Sequence, residues 1–185
     1  MRYFRVLTDP ESSDRWFLDE PVAANGTPID AREFTASKAY SGPDPQFVPI
    51  QRAGKQEQFN LAAFDMPVVS EKLAVELKRI AVDEVVFYPV LVGSTVCGFE
   101  IMNVLPAAKC LDESKSQILF WKPEDGRPDK VGHYRMVTRI KVDPILAEQR
   151  HIFRIKGWEI ALIVSEVVRD RLCKLGRLGV VFEPV

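Results

Sequence analysis

The chain has 185 residues, of which 46% are hydrophobic and 28% are charged, and its formal net charge is −1. A chain of this size and composition can bury a core that needs no disulfide framework, so wholesale disorder is excluded. The balanced charge gives no support for a nucleic-acid partner or an anionic membrane surface.

The first fifty residues carry two short strand-like segments, 3–7 and 16–18, separated by turn-forming residues. Three prolines within 41–49 exclude a helix there. Arg5 interrupts the first apolar stretch before it reaches signal-peptide length, and no apolar run approaches the roughly 18 residues that cross a bilayer. These features predict a cytoplasmic protein with no membrane partner.

Residues 66–90 have the pattern of a strand, a helix and a second strand. Ser70 is a good N-cap for the helix because its hydroxyl can accept from a free backbone N–H of the first turn. Leu73, Leu77 and Ile80 follow at spacings of four and three, which places them on one apolar stripe. The pattern therefore predicts an amphipathic helix packed on a sheet.

The middle of the chain predicts a hairpin, then a short strand, a charged loop and a further strand. A strand over 98–105 follows the previous one after a glycine-containing turn. A short strand leads into Trp121, and residues 122–130 form a charged loop with turn residues. The alternation over 135–142 predicts a strand with a partly basic outer face.

The end of the chain repeats the earlier segment. Residues 161–185 align with 66–90 without a gap, with nine identities in 25 positions and the capping serine in register. Convergent patterning is the alternative, but the shared VVF-x-PV ending favours duplication. We therefore predict one α+β domain over 1–185, with a mixed, mainly antiparallel sheet and two equivalent helices from a duplicated strand–helix–strand unit.

No pattern of a catalytic, cofactor or metal site is found. The sequence lacks GxSxG and phosphate-binding glycine motifs, and its only histidines, His133 and His151, lie outside any motif. The three cysteines, Cys97, Cys110 and Cys173, have no CxxC spacing and are interpreted as small core residues in a reducing compartment. We expect no enzyme, no cofactor and no metal.

Two charged regions are candidate docking surfaces. Glu124, Asp125 and Asp129 lie in the flexible 122–130 loop, where a solvated acidic surface is favoured over a metal site. Arg150 and Arg154 predict a rival basic patch near Trp158. Neither region has the basic excess with interleaved aromatics that nucleic-acid binding requires.

The C-terminal segment resembles the closing signature of the immunity protein eleven family of bacterial polymorphic toxin systems. The matching elements are an apolar-Phe-Arg strand, a V-S-E helix start, a leucine-striped helix and a final G-V-x-F strand; here they are Ile152-Phe153-Arg154, Val164-Ser165-Glu166, Leu172 with Leu175, and Gly179-Val180 with Phe182. Two further segments are similar, LDESKS at 111–116 and FYPV at 87–90. The resemblance implies a non-catalytic α+β protein that protects its producer from a secreted toxin used in competition between bacteria.

On this interpretation the partner is a cognate toxin, whose active site the protein occludes. Buried aromatic anchors and complementary charges favour fast and tight association. The candidate contact residues are Trp121, Glu124, Asp125, Asp129, Tyr134, Arg150, Arg154 and Trp158. The alternatives are a small hydrolase that uses His133 or His151, and a scaffold or regulator with another partner; the oligomeric state stays open.

Overall fold

A computed structural model describes residues 1–93 and 95–185. Two α-helices, α1 (Glu71–Ile80) and α2 (Glu166–Cys173), lie within these ranges. The strands in the same ranges are β1 (Tyr3–Thr8), β2 (Phe17–Leu18), β3 (Val22–Ala23), β4 (Pro45–Val48), β5 (Ile50–Arg52), β6 (Phe59–Leu61), β7 (Pro67–Ser70), β8 (Val85–Val92), β9 (Val96–Val104), β10 (Ala107–Ala108), β11 (Gln117–Phe120), β12 (Tyr134–Thr138), β13 (Ile152–Ile155), β14 (Trp158–Ser165) and β15 (Val180–Pro184).

Two large sheets hold most of these strands. One has the order β10-β13-β14-β1-β15 and the other has the order β3-β4-β8-β9-β7-β6, while β11-β12 and β2-β5 form two-stranded sheets. Neighbouring strands are antiparallel except at β10–β13 and β4–β8. The predicted α+β class with mixed, mainly antiparallel sheets is confirmed.

Both strand–helix–strand units have the same internal arrangement. In the first unit β9 lies between β7 and β8, and in the second unit β1 lies between β14 and β15. The registers agree residue by residue, since Ser70 lies opposite Phe99 and Ser165 lies opposite Tyr3. The middle strand of the second unit therefore comes from the other end of the chain.

The two helices begin in the same way and contact each other. The hydroxyl of Ser70 accepts from the backbone N–H of Leu73, and Ser165 does the same for Val168. Across the helix pair, Arg171 Nε donates to Glu76 Oε2 at 2.6 Å, a hydrogen bond that lowers the pKa of this carboxyl. Glu76 and Arg171 are equivalent positions in the repeat, so this contact joins the two helices at the same position of each unit.

Three apolar clusters stabilise the arrangement. The central cluster fills the space between the units, with α1 and α2 both contributing buried leucines. A second cluster lies on the outer face of the six-stranded sheet, where the N-terminal fifty residues cover it with Trp16 and Phe34. A third lies on the outer face of the five-stranded sheet, where Tyr3 and Phe153 pack under residues from 108 to 147.

The structure differs from the sequence prediction in two places. The strand predicted over 135–142 ends at Thr138, because Arg139 has a left-handed backbone with φ of 47° that breaks the extended run. Of the three cysteines predicted to be core residues, only Cys110 is buried, whereas Cys97 and Cys173 are exposed. Cys97 lies near the start of β9, by the hairpin turn, and Cys173 is the last residue of α2.

Candidate functional site

The arm, residues 117–138, is a two-stranded hairpin with an apolar outer face. Its strands β11 and β12 pair Ile118 with Val137 and Leu119 with Met136. Ile118 and Val137 pack inward on the third cluster. Because successive side chains of a strand point to opposite faces, Leu119 and Met136 point outward. Leu119 and Met136 are 39% and 49% exposed. Contiguous exposed apolar side chains mark protein-binding surfaces, and this pair is a candidate for one.

Trp121 follows β11 at the edge of this face. Its backbone pairs with the far side of the loop, since Trp121 N donates to the carbonyl of His133 at 3.0 Å. Two cationic side chains lie over the indole ring. Lys130 Nζ is 5.5 Å and Arg135 Cζ is 4.9 Å from the ring centroid. The cations hold the half-buried indole in place while leaving part of it accessible.

The carboxylates predicted as an acidic docking surface are largely paired with bases. Asp125 accepts from the backbone N–H of Lys122 and pairs with Arg135, and these contacts lower its pKa. Asp129 pairs with Arg127 at 3.0 Å, and this hydrogen bond lowers its pKa. Residues 122–135 carry four bases and three acids when His133 is neutral. The loop therefore presents alternating charges rather than an acidic surface.

Glu124 is the remaining acid of this loop. Its Oε1 lies 3.9 Å from Lys122 Nζ, a loose contact between two exposed side chains. Such a pair is weak in water. Of the three predicted acidic contacts, Glu124 is the one whose carboxylate a partner could engage with the least rearrangement.

Tyr134 and Trp158 join the arm to the main sheet. The hydroxyl of Tyr134 donates to Glu113, and burial together with this carboxylate raises its pKa to about 12. Its ring contacts Phe120 at a centroid distance of 5.5 Å, and Trp158 packs on the third cluster beside it. Both aromatics are half-buried, so they position the arm and expose only part of their surface.

The predicted basic patch does not form as a surface. Arg154 is fully buried on β13, and desolvation lowers its pKa to about 10. Its Nη1 donates to the carbonyl of Glu159 at 2.7 Å, whereas Nε and Nη2 have no partner among the described residues. Arg150 is half-buried and pairs with Glu148 at 2.8 Å. Arg154 therefore cannot contact a partner in this conformation.

The two histidines occupy structural positions. His151 Nδ1 lies 2.9 Å from Ser165 Oγ, the same hydroxyl that caps α2. Ser165 is fully buried, so a substrate cannot reach this Ser–His pair. His133 is exposed and uses its backbone in the turn of the arm. The geometry does not favour the hydrolase alternative.

A second region, which the sequence did not indicate, is an open cleft where β1 and β14 separate. β1 pairs with β14 only at residues 3–5, although it pairs with β15 over 4–8. The cleft has a volume of about 450 Å³, within the usual range for binding sites. The β1–β14 cleft is lined by Arg5, Val6, Leu7, Thr8, Pro10, Leu61, Asp65, Ile160, Leu162 and Val181.

Two charged side chains of this cleft are free. Arg5 and Asp65 are half-buried, and neither has a side-chain hydrogen bond or ion pair with another residue that the structure describes. Burial raises the pKa of Asp65, and the positive charges of Arg154 and Arg5 offset this only in part. Asp65 also has a left-handed backbone with φ of 55°, like its neighbour Phe64. Strain of this kind is concentrated at functional sites.

Sequence reasoning missed the outward pair Leu119 and Met136, as well as the whole cleft. The alternation over 135–142 set Met136 on the apolar face and Val137 on the basic outer face, and this assignment is wrong, because Val137 is 3% exposed and Met136 is 49% exposed. No sequence signal marks the cleft, because its walls come from segments far apart in the chain. In the part of the chain that the structure describes, no helix has the length and apolarity to span a membrane.

Comparison with protein-family models gives a match to an immunity protein family. A family model described as "Immunity protein family (Imm11)" matches residues 5–185, nearly the whole chain. A search of curated proteins finds no match. The matched region includes both large sheets, both helices and the arm.

Proposed function

Because the chain belongs to the immunity protein family Imm11, we propose that it neutralises a cognate bacterial toxin by binding it and covering the toxin's active site. The protein acts in the cytoplasm of the producing cell, before the toxin reaches its target. It makes and breaks no covalent bond. This role fits a family of immunity proteins in systems of competition between bacteria.

The observation that carries the docking surface is the exposed apolar face of the arm. Leu119 and Met136 lie side by side on it, and Trp121 is fixed at its edge by two cations. An interface needs a central apolar anchor surrounded by polar groups that exclude water. The paired charges of the loop from 122 to 130 supply that polar rim.

The test uses the purified toxic domain of the cognate toxin, for which the neighbouring genes are first searched. We expect the wild-type protein to bind it and to protect cells that express it. The double variant Leu119→Ser with Met136→Ser should weaken binding about 30-fold or more, as loss of an interface anchor does. Isothermal titration calorimetry measures affinity, and colony survival measures protection.

The control is Val82→Ser, a change at an apolar residue that is 69% exposed in the turn after α1. It should leave affinity and survival unchanged. Failure of the wild-type protein to bind the toxin would refute the proposed function. Equal affinity of the arm variant and the wild type would refute the arm as the docking surface.

A further inference from the structure

The arm and the segments that join it to the main sheet are the positive part of a slightly acidic protein. Residues 109–141 carry eight bases and five acids when His133 is neutral, which is a net charge of +3. The whole chain has a net charge of −1, so the remaining residues together carry −4. The sign of the charge around the arm is therefore opposite to that of the rest of the molecule.

The five carboxylates of this region already have partners within it. Lys115 Nζ donates to Asp112 Oδ2 at 2.7 Å, and this bond together with one from Ser114 lowers the pKa of Asp112 to about 2. The other four pairs are Glu113 with the Tyr134 hydroxyl, Glu124 with Lys122, Asp125 with Arg135 and Asp129 with Arg127. Only the contact of Glu124 is loose, so the region offers a partner few free negative charges.

Several bases of the region, in contrast, have no carboxylate. The bases without an ion pair or a side-chain hydrogen bond to any residue that the structure describes are Lys109, Lys130, Arg139 and Lys141. Arg139 and Lys141 are exposed, and Lys130 is half-buried over the Trp121 ring. The excess positive charge is therefore available to a partner.

Three of these bases, Lys130, Arg139 and Lys141, border the apolar face of the arm and are called the cationic rim. Lys130 lies at one end of this face, where its Nζ is 5.5 Å from the centroid of the Trp121 ring. Arg139 lies at the other end, directly after the last residue of β12.

The inward packing of the neighbouring residues places Arg139 and Lys141 on the outer side. Val137, Ile140 and Val142 all belong to the third cluster, beneath the arm. The exposed Arg139 and Lys141 lie between these buried residues, so they face away from the cluster, as Met136 does.

We propose that the arm docks on a region of the toxin that has an apolar centre and an acidic rim. Leu119 and Met136 contact the apolar centre, and the cationic rim contacts carboxylates that surround it. This inference rests on the proposed function for the identity of the partner.

The free charges favour this partner over two others. A basic region of the toxin would meet the cationic rim, and like charges that face each other across an interface cost free energy. A nucleic acid requires a larger basic excess and several aromatic side chains on which bases stack, whereas the outer face of the arm is centred on Leu119 and Met136. Opposite charges at the rim of an apolar contact speed association and select the partner.

The first experiment measures how salt changes the rate at which the wild-type protein binds the purified toxic domain of the cognate toxin. Stopped-flow fluorescence gives the association rate at about 50 mM and about 500 mM NaCl. The rate should fall about tenfold or more at the higher salt concentration, because ions screen the attraction between the cationic rim and the carboxylates. This measurement needs no substitution.

The second experiment reverses charges at the rim. The double variant Arg139→Glu with Lys141→Glu should associate about tenfold more slowly than the wild type at low salt. The matched control, Lys72→Glu with Lys174→Glu, changes the net charge equally at two exposed bases without ion pairs, one on α1 and one directly after α2. It should change the rate less than about threefold. Thermal unfolding of both variants shows whether the fold is intact.

A third variant predicts a gain, which loss of the fold cannot produce. Glu124→Lys removes the most loosely held carboxylate of the arm and adds a cation, so association at low salt should become about threefold faster. If the wild-type protein binds but salt leaves its rate unchanged, or if the rim variant associates as fast as its control, the acidic rim is overturned and the proposed function stands. If the wild-type protein does not bind, both are overturned.

Discussion

The two repeat units share a frame and differ in their outer surfaces. Each unit has two strands that flank a middle strand and run antiparallel to it, and a helix that begins at the capping serine. The register of the strands is the same in both units. However, one unit has Asn103 and Ile101 under a covering segment, whereas the other has Leu7 and Arg5 beside an open cleft. The frame is fixed by the shared core, and the outer face is free to acquire a separate role.

The largest effect expected from this comparison concerns the equivalent core leucines. Leu77 and Leu172 are fully buried on the two helices and belong to the same central cluster. Replacement of either by alanine should lower the free energy of unfolding by about 3 kcal/mol, because each leaves a cavity in packed surroundings. Urea denaturation of both variants measures the two losses. Losses that differ by more than about 2 kcal/mol would show that the two equivalent positions are not packed alike.

A smaller effect should separate the two capping serines. Ser70→Ala removes only an N-cap and should cost about 1 kcal/mol. Ser165→Ala should cost about 2 kcal/mol, since the buried Ser165 hydroxyl also lies 2.9 Å from His151 Nδ1, and its loss leaves that ring nitrogen without a partner. Thermal and chemical unfolding provide the comparison, with His151→Ala as the control. Equal costs would mean that the His151 contact contributes nothing.

The smallest effect concerns Asp65 and its dependence on pH. Burial raises the pKa of Asp65 in the folded state, so its contribution to stability is greatest below its unfolded pKa and is lost as pH rises through the folded pKa. Asp65→Asn keeps the shape and tolerates a left-handed backbone. At pH 7 it should stabilise the free protein by about 0.5 kcal/mol, after allowance for solvent screening of a half-exposed group.

The same Asp65→Asn variant should show no gain near pH 3, where the carboxyl of the wild type is largely protonated. Unfolding is measured at both pH values. A gain of equal size at the two pH values, or a loss at pH 7, would contradict desolvation as the cause of the raised pKa.

Local features of the fold were predictable from sequence, and long-range ones were not. Ser70 and the Leu73–Leu77 stripe define α1 by themselves, and the ungapped repeat transfers that prediction to α2. The insertion of β1 between β14 and β15 has no local signal, because it joins residues that are more than 150 positions apart. The β1–β14 cleft was not predictable for the same reason, because its walls come from segments far apart in the chain.

The candidate contact residues show where charge patterns mislead. Arg154 lies in the run IFRI, where its neighbours are apolar on both sides, and the strand buries it along with them. Asp125 and Asp129 suggest an acidic loop in the sequence. In the fold Arg135 pairs with Asp125 and Arg127 pairs with Asp129, so the negative charge is balanced. Trp121 and Tyr134 lie beside charged side chains, since Arg135 lies over the Trp121 ring and Glu113 accepts from the Tyr134 hydroxyl; their role as toxin contacts stays a prediction.

The position of β1 determines the order in which the molecule can assemble during synthesis. The first unit draws its strands from a continuous stretch, residues 59–104, and can close soon after that stretch leaves the ribosome. The second unit pairs β1, from residues 3–8, with β14 and β15, from residues 158–184, so β1 must wait for its partners until about 150 further residues have been made. Until then its apolar residues Tyr3, Phe4 and Val6 lack their sheet partners. An unpaired apolar strand can pair with another chain, so a nascent chain that stalls late is the form most exposed to aggregation.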